Sequence, residues 1–191
     1  AYNALVAIMI CYLIDVPTKD IQNTLPQVHV LGRGQVMHVS PDYSVLIDYA
    51  HNGVSFESII STVEQYNPNK LIVVYGSGGK RSKTRRYESG EVVAKHGGYS
   101  ILTADNPRGE KIVDICKDIV VGIDKYHGEY TIIPDRKEAI YHALDMACKG
   151  DVVLLLGKGH ETYMIGEDEV TRHFSETEVL EEYKKERGLN A

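Results

Sequence analysis

The segment from Asp151 to Glu161 constrains the fold of this chain more than any other. It reads Asp-Val-Val-Leu-Leu-Leu-Gly-Lys-Gly-His-Glu, an aliphatic run that follows an acid and ends in a glycine-rich turn. A continuous apolar run of this length predicts a strand buried on both faces, as in parallel sheets. Open α/β sheets bind ligands at the carboxyl ends of their strands, so we expect the polar turn to contribute to a site.

Three other polar loops follow predicted strands in the same way. Gly76–Arg81 follows the strand Leu71–Tyr75, and Asp105–Arg108 follows the strand Ser100–Ala104. The loop Asp48–His51 also ends a strand. Because the carboxyl ends of parallel strands lie at one edge of a sheet, these loops are predicted to form one site with the turn after residue 156.

From residue 35 onward, predicted strands alternate with predicted helices. The remaining strands are expected at Gln35–Ser40, Ser44–Tyr49 and Tyr130–Pro134. Helices are expected at Val54–Tyr66, Tyr87–His96, Glu110–Val121, Arg136–Cys148 and Glu176–Arg187, and a hairpin between Tyr163 and His173. This alternation predicts a Rossmann-like, doubly wound α/β domain with a mostly parallel sheet.

The first residues of the chain have a different character. Ala1–Ile14 is rich in helix formers and apolar on all sides, which predicts a buried helix. Pro17 predicts the start of a second short helix to about Leu25. The glycine-containing segment Pro26–Gly34 is interpreted as a linker and a domain boundary. Because the chain begins inside a helical pattern without methionine, we expect it to be a fragment of a longer protein.

Composition excludes several classes of function. The net charge of -6 and the lack of a basic tract argue against nucleic-acid binding. The apolar run Ala4–Ile14 is too short for a membrane span, which needs about 20 residues. Three widely spaced cysteines fit reduced thiols, so we expect a cytoplasmic protein.

The glycine-rich loops do not match a complete nucleotide-binding motif. A Walker loop needs a glycine where Val74 and Val152 stand. The dinucleotide-binding pattern would place its third glycine at Arg81. His160-Glu161 lacks the second histidine of a zinc protease helix, and no metal site is predicted.

The charged residues of these loops instead favour recognition of a zwitterion. Arg108 and Arg81 present planar guanidinium groups that suit carboxylates, and Glu161 suits an ammonium group. Pro107 restricts Asn106 to an extended conformation and thereby makes the loop Asp105–Arg108 rigid. Three alternatives stay open. Asp105 and Arg108 could only close a turn and cap a helix, and Glu161 and Lys158 could be solvated surface residues. Asp48 could accept hydrogen bonds from ribose hydroxyls or cap the next helix.

Taken together, five motifs in order resemble the Mur ligases. They are Asp-Tyr-Ala-His at 48–51, Gly-x-Gly-Gly-x-Arg at 76–81, Asp-Asn-Pro-Arg at 105–108, Asp135-Arg136 with Ala139-Ile140, and Gly-Lys-Gly-His-Glu at 157–161. The resemblance implies that residues 32–191 are the family's C-terminal amino-acid-binding domain. It implies that residues 1–31 are the helical end of the central ATPase domain, whose Walker loop and Mg²⁺ ligands lie upstream.

The resemblance also implies an activity and a set of site residues. The implied protein is an ATP-dependent ligase that adds meso-diaminopimelate to UDP-MurNAc-L-Ala-D-Glu through an acyl phosphate. It is expected to act as a monomer, and this fragment alone is expected to be inactive. The implied amino-acid site consists of Arg81, Asp105, Asn106, Pro107, Arg108, Gly157 and Glu161. Nucleotide contacts are implied for Asn3, Arg33 and Asp48, and His51 and Lys158 are implied to face the reacting phosphate.

Two alternatives to this function stay open. One is a ligase that adds lysine, or one that resembles cyanophycin synthetase. The other is a non-catalytic module that binds an amino acid.

Overall fold

The computed structural model describes residues 2–28 and 30–189. The chain divides into two compact units, Ala1–Val30 and Leu31–Ala191. That the first unit is the end of an ATPase domain stays a prediction.

The described residues of the N-terminal unit form two helices and one 3-10 turn. Helix α1 spans Tyr2–Leu13, α2 spans Thr18–Thr24, and the turn covers Leu25–Gln27. The prediction that the first helix is buried is wrong, since Met9 is 63% exposed and Leu13 is 74% exposed. Within this unit only the short helix α2 and the 3-10 turn are available to cover α1, and they are too small to cover a helix that is apolar on every side. Ala1, which began the predicted helix, lies outside the described residues.

The C-terminal unit contains a six-stranded sheet and a separate hairpin. The strands of the sheet are β1 (Gln35–Met37), β2 (Ser44–Asp48), β3 (Leu71–Tyr75), β4 (Tyr99–Leu102), β5 (Tyr130–Ile132) and β6 (Val152–Leu156). They lie in the order β1-β2-β6-β3-β4-β5. Only β1 pairs antiparallel within this sheet. Strands β7 (Tyr163–Ile165) and β8 (Thr171–His173) form the predicted hairpin.

Helices cover both faces of the sheet. They are α3 (Gly53–Glu64), α4 (Thr84–Lys95), α5 (Ile112–Asp124), α6 (Arg136–Met146) and α7 (Glu176–Glu186). Side chains alternate across β6, so that Leu154 and Leu156 join one core with α3, α4 and α5. Val153 and Leu155 join the other core with α6 and α7. The predicted Rossmann-like, doubly wound α/β fold is confirmed.

The predicted elements are all present, but several of their ends differ. Asp151 precedes β6 instead of beginning it, because its carboxylate accepts a hydrogen bond of 2.8 Å from the backbone N–H of Cys148. Helix α4 begins at Thr84, three residues before the predicted start, and α5 continues to Asp124. Differences of a few residues are expected at the ends of elements, because apolar periodicity locates the middle of a helix or strand better than its ends.

One surface cluster predicts a dependence of stability on pH. His96 follows α4, and its Nδ1 and Nε2 atoms lie 2.8 Å from Glu64 and 3.0 Å from Glu57. Burial by itself would lower the pKa of His96, but its hydrogen bonds and charge interactions with the two carboxylates raise it above the usual value. The ring is 13% exposed, so solvent weakens these interactions only in part.

Since the pKa of His96 is higher in the folded state, its stabilising effect is complete below the unfolded pKa and is lost as pH rises through the folded pKa. We expect the free energy of unfolding to lose about 1 kcal/mol over that range. Urea denaturation at several pH values measures this loss. The variant His96→Gln should abolish it, and His142→Gln, at an exposed position on α6, should leave it unchanged. An identical slope in both variants would contradict the role of His96.

Candidate functional site

A cavity of about 320 Å³ opens at the carboxyl ends of the central strands. It is formed by the loops that follow β2, β3, β4 and β6, as the sequence predicted for parallel strands. The residues that line it are Tyr49, His51, Gly76, Ser77, Gly78, Arg81, Arg85, Asp105, Asn106, Arg108, Gly157 and Glu161. The structure therefore brings together six of the seven residues predicted to bind the amino acid.

The loops after β3 and β4 approach each other so closely that glycine is required. The backbone N–H of Gly79 donates to the carbonyl of Asn106 at 2.8 Å. A β-carbon at Gly79 would lie 1.7 Å from the carbonyl oxygen of Pro107, and one at Gly76 would lie 2.1 Å from that of Thr103. The glycines thus allow the two loops to pack against each other, and no phosphate is needed to explain them.

Asn106 joins three segments of the site. Its side-chain amide group donates to Asp105 at 3.1 Å and to Glu161 at 3.0 Å. Its side-chain oxygen accepts from the backbone N–H of Ile165 at 2.9 Å and from Lys158 at 3.4 Å. Because both donors and both acceptor positions are used, the Asn106 side chain is fixed and links two loops to the hairpin.

Lys158 is buried beneath the cavity and does not line it. Its side chain is fully buried, and its ammonium donates to Glu161 at 2.8 Å, to Asn106 and to the carbonyl of Tyr163. Asp105 lies 4.0 Å away. All three N–H donors are therefore engaged within the protein. The alternative that Lys158 is a surface lysine is wrong. Contact between Lys158 and a reacting phosphate stays a prediction, and this geometry instead favours a role in positioning Glu161 and Asn106.

Glu161 presents a carboxylate that is held in its ionised form. Burial opposes ionisation, but the hydrogen bond and charge of Lys158, with hydrogen bonds from Asn106 and Tyr49, lower its pKa below the usual value. One oxygen accepts from Lys158 and Asn106, whereas the other, within residues 2–28 and 30–189, accepts only from the Tyr49 hydroxyl, at 3.3 Å. The second oxygen keeps a free lone pair with which to accept a hydrogen bond from a bound ammonium. With its side chain only 13% exposed, Glu161 is not a solvated surface carboxylate.

Arg108 and Arg81 reach the cavity from two different loops. Arg108 has a φ of 47°, an uncommon conformation for a residue with a β-carbon. Its guanidinium lies 3.3 Å from the carbonyl of Asn106. Among the described residues, no carboxylate lies within ion-pair distance of either arginine. Both guanidinium groups are consequently available to an anionic ligand.

The loop after β2 contributes an imidazole, whereas its aspartate supports the backbone. Nδ1 of His51 lies 2.9 Å from the carbonyl of Tyr49 and donates a hydrogen bond to it, because a carbonyl oxygen only accepts. Asp48 accepts from the backbone N–H groups of Gly34 and Ala50, both at 2.7 Å. Asp48 does not cap the next helix, because Asn52 caps it through a reciprocal bond with Ser55.

The other predicted site residues lie outside the cavity wall. Pro107 is buried behind it, and the Arg33 guanidinium lies 5.2 Å from the centre of the Tyr49 ring. Asn3 is an exposed residue of α1 in the N-terminal unit. The nucleotide contacts implied for Asn3, Arg33 and Asp48 stay predictions.

Sequence reasoning assigned no role to Tyr49 and Arg85, which line the cavity, or to Arg86, which follows Arg85 in α4. Tyr49 lies inside the motif at 48–51, and its hydroxyl orients Glu161. Arg85 lines the cavity from the first turn of α4. Arg86 is buried and pairs with Glu110 and Asp118. A run of basic residues after a glycine-rich loop is a sequence signal, but it does not distinguish the cavity arginine from the paired one.

Within residues 2–28 and 30–189, no group of three or more histidine, cysteine, aspartate or glutamate side chains is arranged to hold a metal ion. The helices in this part of the chain are also too short or too polar to cross a membrane.

Comparison with known proteins identifies sequence relatives. Residues 32–159 match the family model described as the glutamate ligase domain of Mur ligases. The UDP-N-acetylmuramoyl-L-alanyl-D-glutamate--2,6-diaminopimelate ligase of Caldanaerobacter subterraneus subsp. tengcongensis is 41% identical over 95% of this chain. The ligase of the same name from Clostridium perfringens is 40% identical over 94% of it. The chain spans 37% of the length of each of these relatives.

Solved structures share the fold. A structure of a UDP-N-acetylmuramoyl-L-alanyl-D-glutamate--2,6-diaminopimelate ligase superposes with a TM-score of 0.75 and 27% identity, covering 96% of this chain and 38% of that one. The UDP-N-acetylmuramate-alanine ligase of Thermotoga maritima gives a TM-score of 0.69 at 14% identity, covering 99% of this chain and 37% of that one, and shows the fold alone.

Proposed function

This chain belongs to the Mur ligase family, and we propose that it is the C-terminal part of a MurE-type enzyme that binds meso-diaminopimelate. The complete enzyme would be an ATP-dependent ligase of peptidoglycan precursor synthesis in the cytoplasm. It would join diaminopimelate to UDP-MurNAc-L-Ala-D-Glu. The observation that carries the proposal is a cavity in which arginines without a carboxylate partner among the described residues, Arg81 and Arg108 among them, lie in the same wall as an ionised glutamate.

The charges of the cavity match those of this amino acid. Meso-diaminopimelate carries a carboxylate and an ammonium at each end, whereas lysine has a carboxylate at one end only. Arg81 and Arg108 each offer a planar fork to one carboxylate. The free lone pair of Glu161 is available to an ammonium group. A second arginine without a partner therefore favours an amino acid with two carboxylates over lysine.

In the reaction of the family, an acyl phosphate forms on the D-glutamate side chain, and the amine of the incoming amino acid attacks it. The C–N bond forms, the bond between the acyl carbon and the phosphate oxygen breaks, phosphate leaves with the electron pair, and the amine gives its proton to water. This chain's contribution would be to position the amine, since an oriented nucleophile lowers the barrier by removing translational freedom. Asn106 and Lys158 keep Glu161 in place for that task.

ATP and Mg²⁺ would be held chiefly outside the part of the chain that the structure describes. That part has no cluster of metal ligands, and its glycine loops are explained by close packing. Asp48 keeps acceptor capacity beyond its two backbone contacts, and Arg33 is exposed, so both fit a contact with the ribose and phosphate of a nucleotide. The nucleotide would supply the phosphoryl group that activates the acid.

Calorimetric titration of the full-length protein, with UDP-MurNAc-L-Ala-D-Glu and a non-hydrolysable ATP analogue present, tests the proposal. We expect diaminopimelate to bind at least about tenfold more tightly than L-lysine or L-ornithine, since each of these lacks one charge-assisted carboxylate contact. Tighter binding of lysine would assign the enzyme to the lysine-adding type. If the parent gene encoded no Walker loop upstream, the ligase would be excluded and a non-catalytic amino-acid-binding module would replace it.

A further inference from the structure

Arg85 is a third arginine of the cavity and has no role in the binding of diaminopimelate described above. It lines the cavity together with Arg81 and Arg108. Diaminopimelate has two carboxylates, and the two other arginines match them. The guanidinium of Arg85 is therefore left without a ligand group.

The arginines of the C-terminal unit differ in a systematic way. Of the five arginines outside the cavity in residues 30–189, Arg33 lies over the Tyr49 ring, and the other four pair with carboxylates: Arg86 with Glu110 and Asp118, Arg136 with Glu176, Arg172 with Asp168, and Arg187 with Asp145. Within residues 30–189, none of the three cavity arginines has a carboxylate within 4.0 Å. Three unpaired cations in one cavity of a chain with a net charge of -6 are not a result of overall composition.

The position of Arg85 is also unfavourable for the isolated fold. It lies in the first turn of α4, where the helix dipole repels a cation, and this turn contains no acidic residue. Like charges around one cavity also repel each other. The two acids in the cavity wall, Asp105 and Glu161, are partly neutralised by the buried Lys158. An anionic ligand would relieve this excess of positive charge.

We propose that Arg85 binds an oxyanion of the activated UDP-MurNAc-dipeptide, not of diaminopimelate. This inference rests on the proposed function. During amide formation the dipeptide must bring its acyl phosphate to the amine, so its phosphoryl group and the free carboxylate of its D-glutamate enter the same cavity. Either group presents the oxygen acceptors that a guanidinium recognises. Arg85 is thus the residue at which this domain recognises the second reactant.

Steady-state kinetics of the full-length ligase with Arg85→Gln tests the proposal. The expected result is an increase of about tenfold in KM for the dipeptide, or an equal loss in kcat, while KM for diaminopimelate changes less than about threefold. Arg81→Gln should show the opposite pattern. Arg187→Gln, which removes an exposed arginine outside the cavity, is the matched control and should change neither constant.

A second measurement separates the two sources of the oxyanion. If Arg85 binds the free carboxylate, Arg85→Gln should weaken the binding of the dipeptide about tenfold, as measured by calorimetry without ATP. Unchanged binding with a reduced kcat would assign the phosphoryl group. If Arg85→Gln raised only KM for diaminopimelate, or altered nothing, the proposal would be overturned. If the wild-type enzyme failed to use diaminopimelate at all, the proposed function itself would be wrong, and the role of Arg85 would fall with it.

Discussion

Replacing Arg136 with alanine is expected to lower the free energy of unfolding by about 3–5 kcal/mol, the usual cost of breaking a buried ion pair by removal of one partner. The guanidinium donates to Glu176 at 2.7 and 3.0 Å, and both side chains are fully buried. Burial raises the pKa of Glu176 and outweighs the charge of Arg136. Without Arg136, this carboxyl would keep the burial cost and lose its partner.

Arg136 also ties together the two chain segments that lead into the site loops after β4 and β6. It donates to the backbone carbonyls of Ala104 and Leu156, both at 2.8 Å. Each carbonyl belongs to the residue just before a site loop, Asp105–Arg108 in one case and Gly157–Glu161 in the other. In the Arg136→Ala variant both buried carbonyls would lose this donor, which would lower the free energy of unfolding further.

Urea denaturation of the wild type, Arg136→Ala and Arg172→Ala measures the effect. Arg172 pairs with Asp168 in solvent, where the ion pair adds little to stability, so its removal should cost much less and provides the matched control. If the two variants lost equal stability, the pair between Arg136 and Glu176 would not support the fold as argued.

Replacing Arg108 with alanine is expected to cost about 2–5 kcal/mol in the binding of diaminopimelate, because a charge-assisted carboxylate contact would be lost. The loss of folding stability should be small, since among the described residues Arg108 pairs with no carboxylate. Alanine also keeps the β-carbon, so the strain of the positive φ is the same in both proteins.

Calorimetric titration under the conditions used for the proposed function measures this loss. Arg108→Lys is the matched variant, because lysine keeps the charge but lacks the planar fork, and its affinity should fall between those of the wild type and the alanine variant. Urea denaturation checks that both variants fold. A change of less than about threefold in affinity, with the fold intact, would make Arg108 a structural residue.

The sequence alone was sufficient to predict the order of the elements in the C-terminal unit and the edge of the sheet at which the site lies. Apolar runs such as residues 152–156 are local signals, and their period distinguishes a buried strand from an amphipathic helix. A strand that ends in a polar loop then indicates a position in the site, because parallel strands end at the same edge. Arg81, Asp105, Asn106, Arg108, Gly157 and Glu161 were predicted on this basis and on the family resemblance, and they share one cavity.

The partners of the charged side chains were decided only by the tertiary structure. Lys158 and Glu161 were ambiguous in sequence, yet the fold buries one as the support of the other. Arg85 and Arg86 are neighbours in sequence, but one faces the cavity and the other is paired inside the protein. The physical reason is that burial and pairing of a charge depend on segments far apart in the chain, whereas strand and helix patterns depend on neighbours.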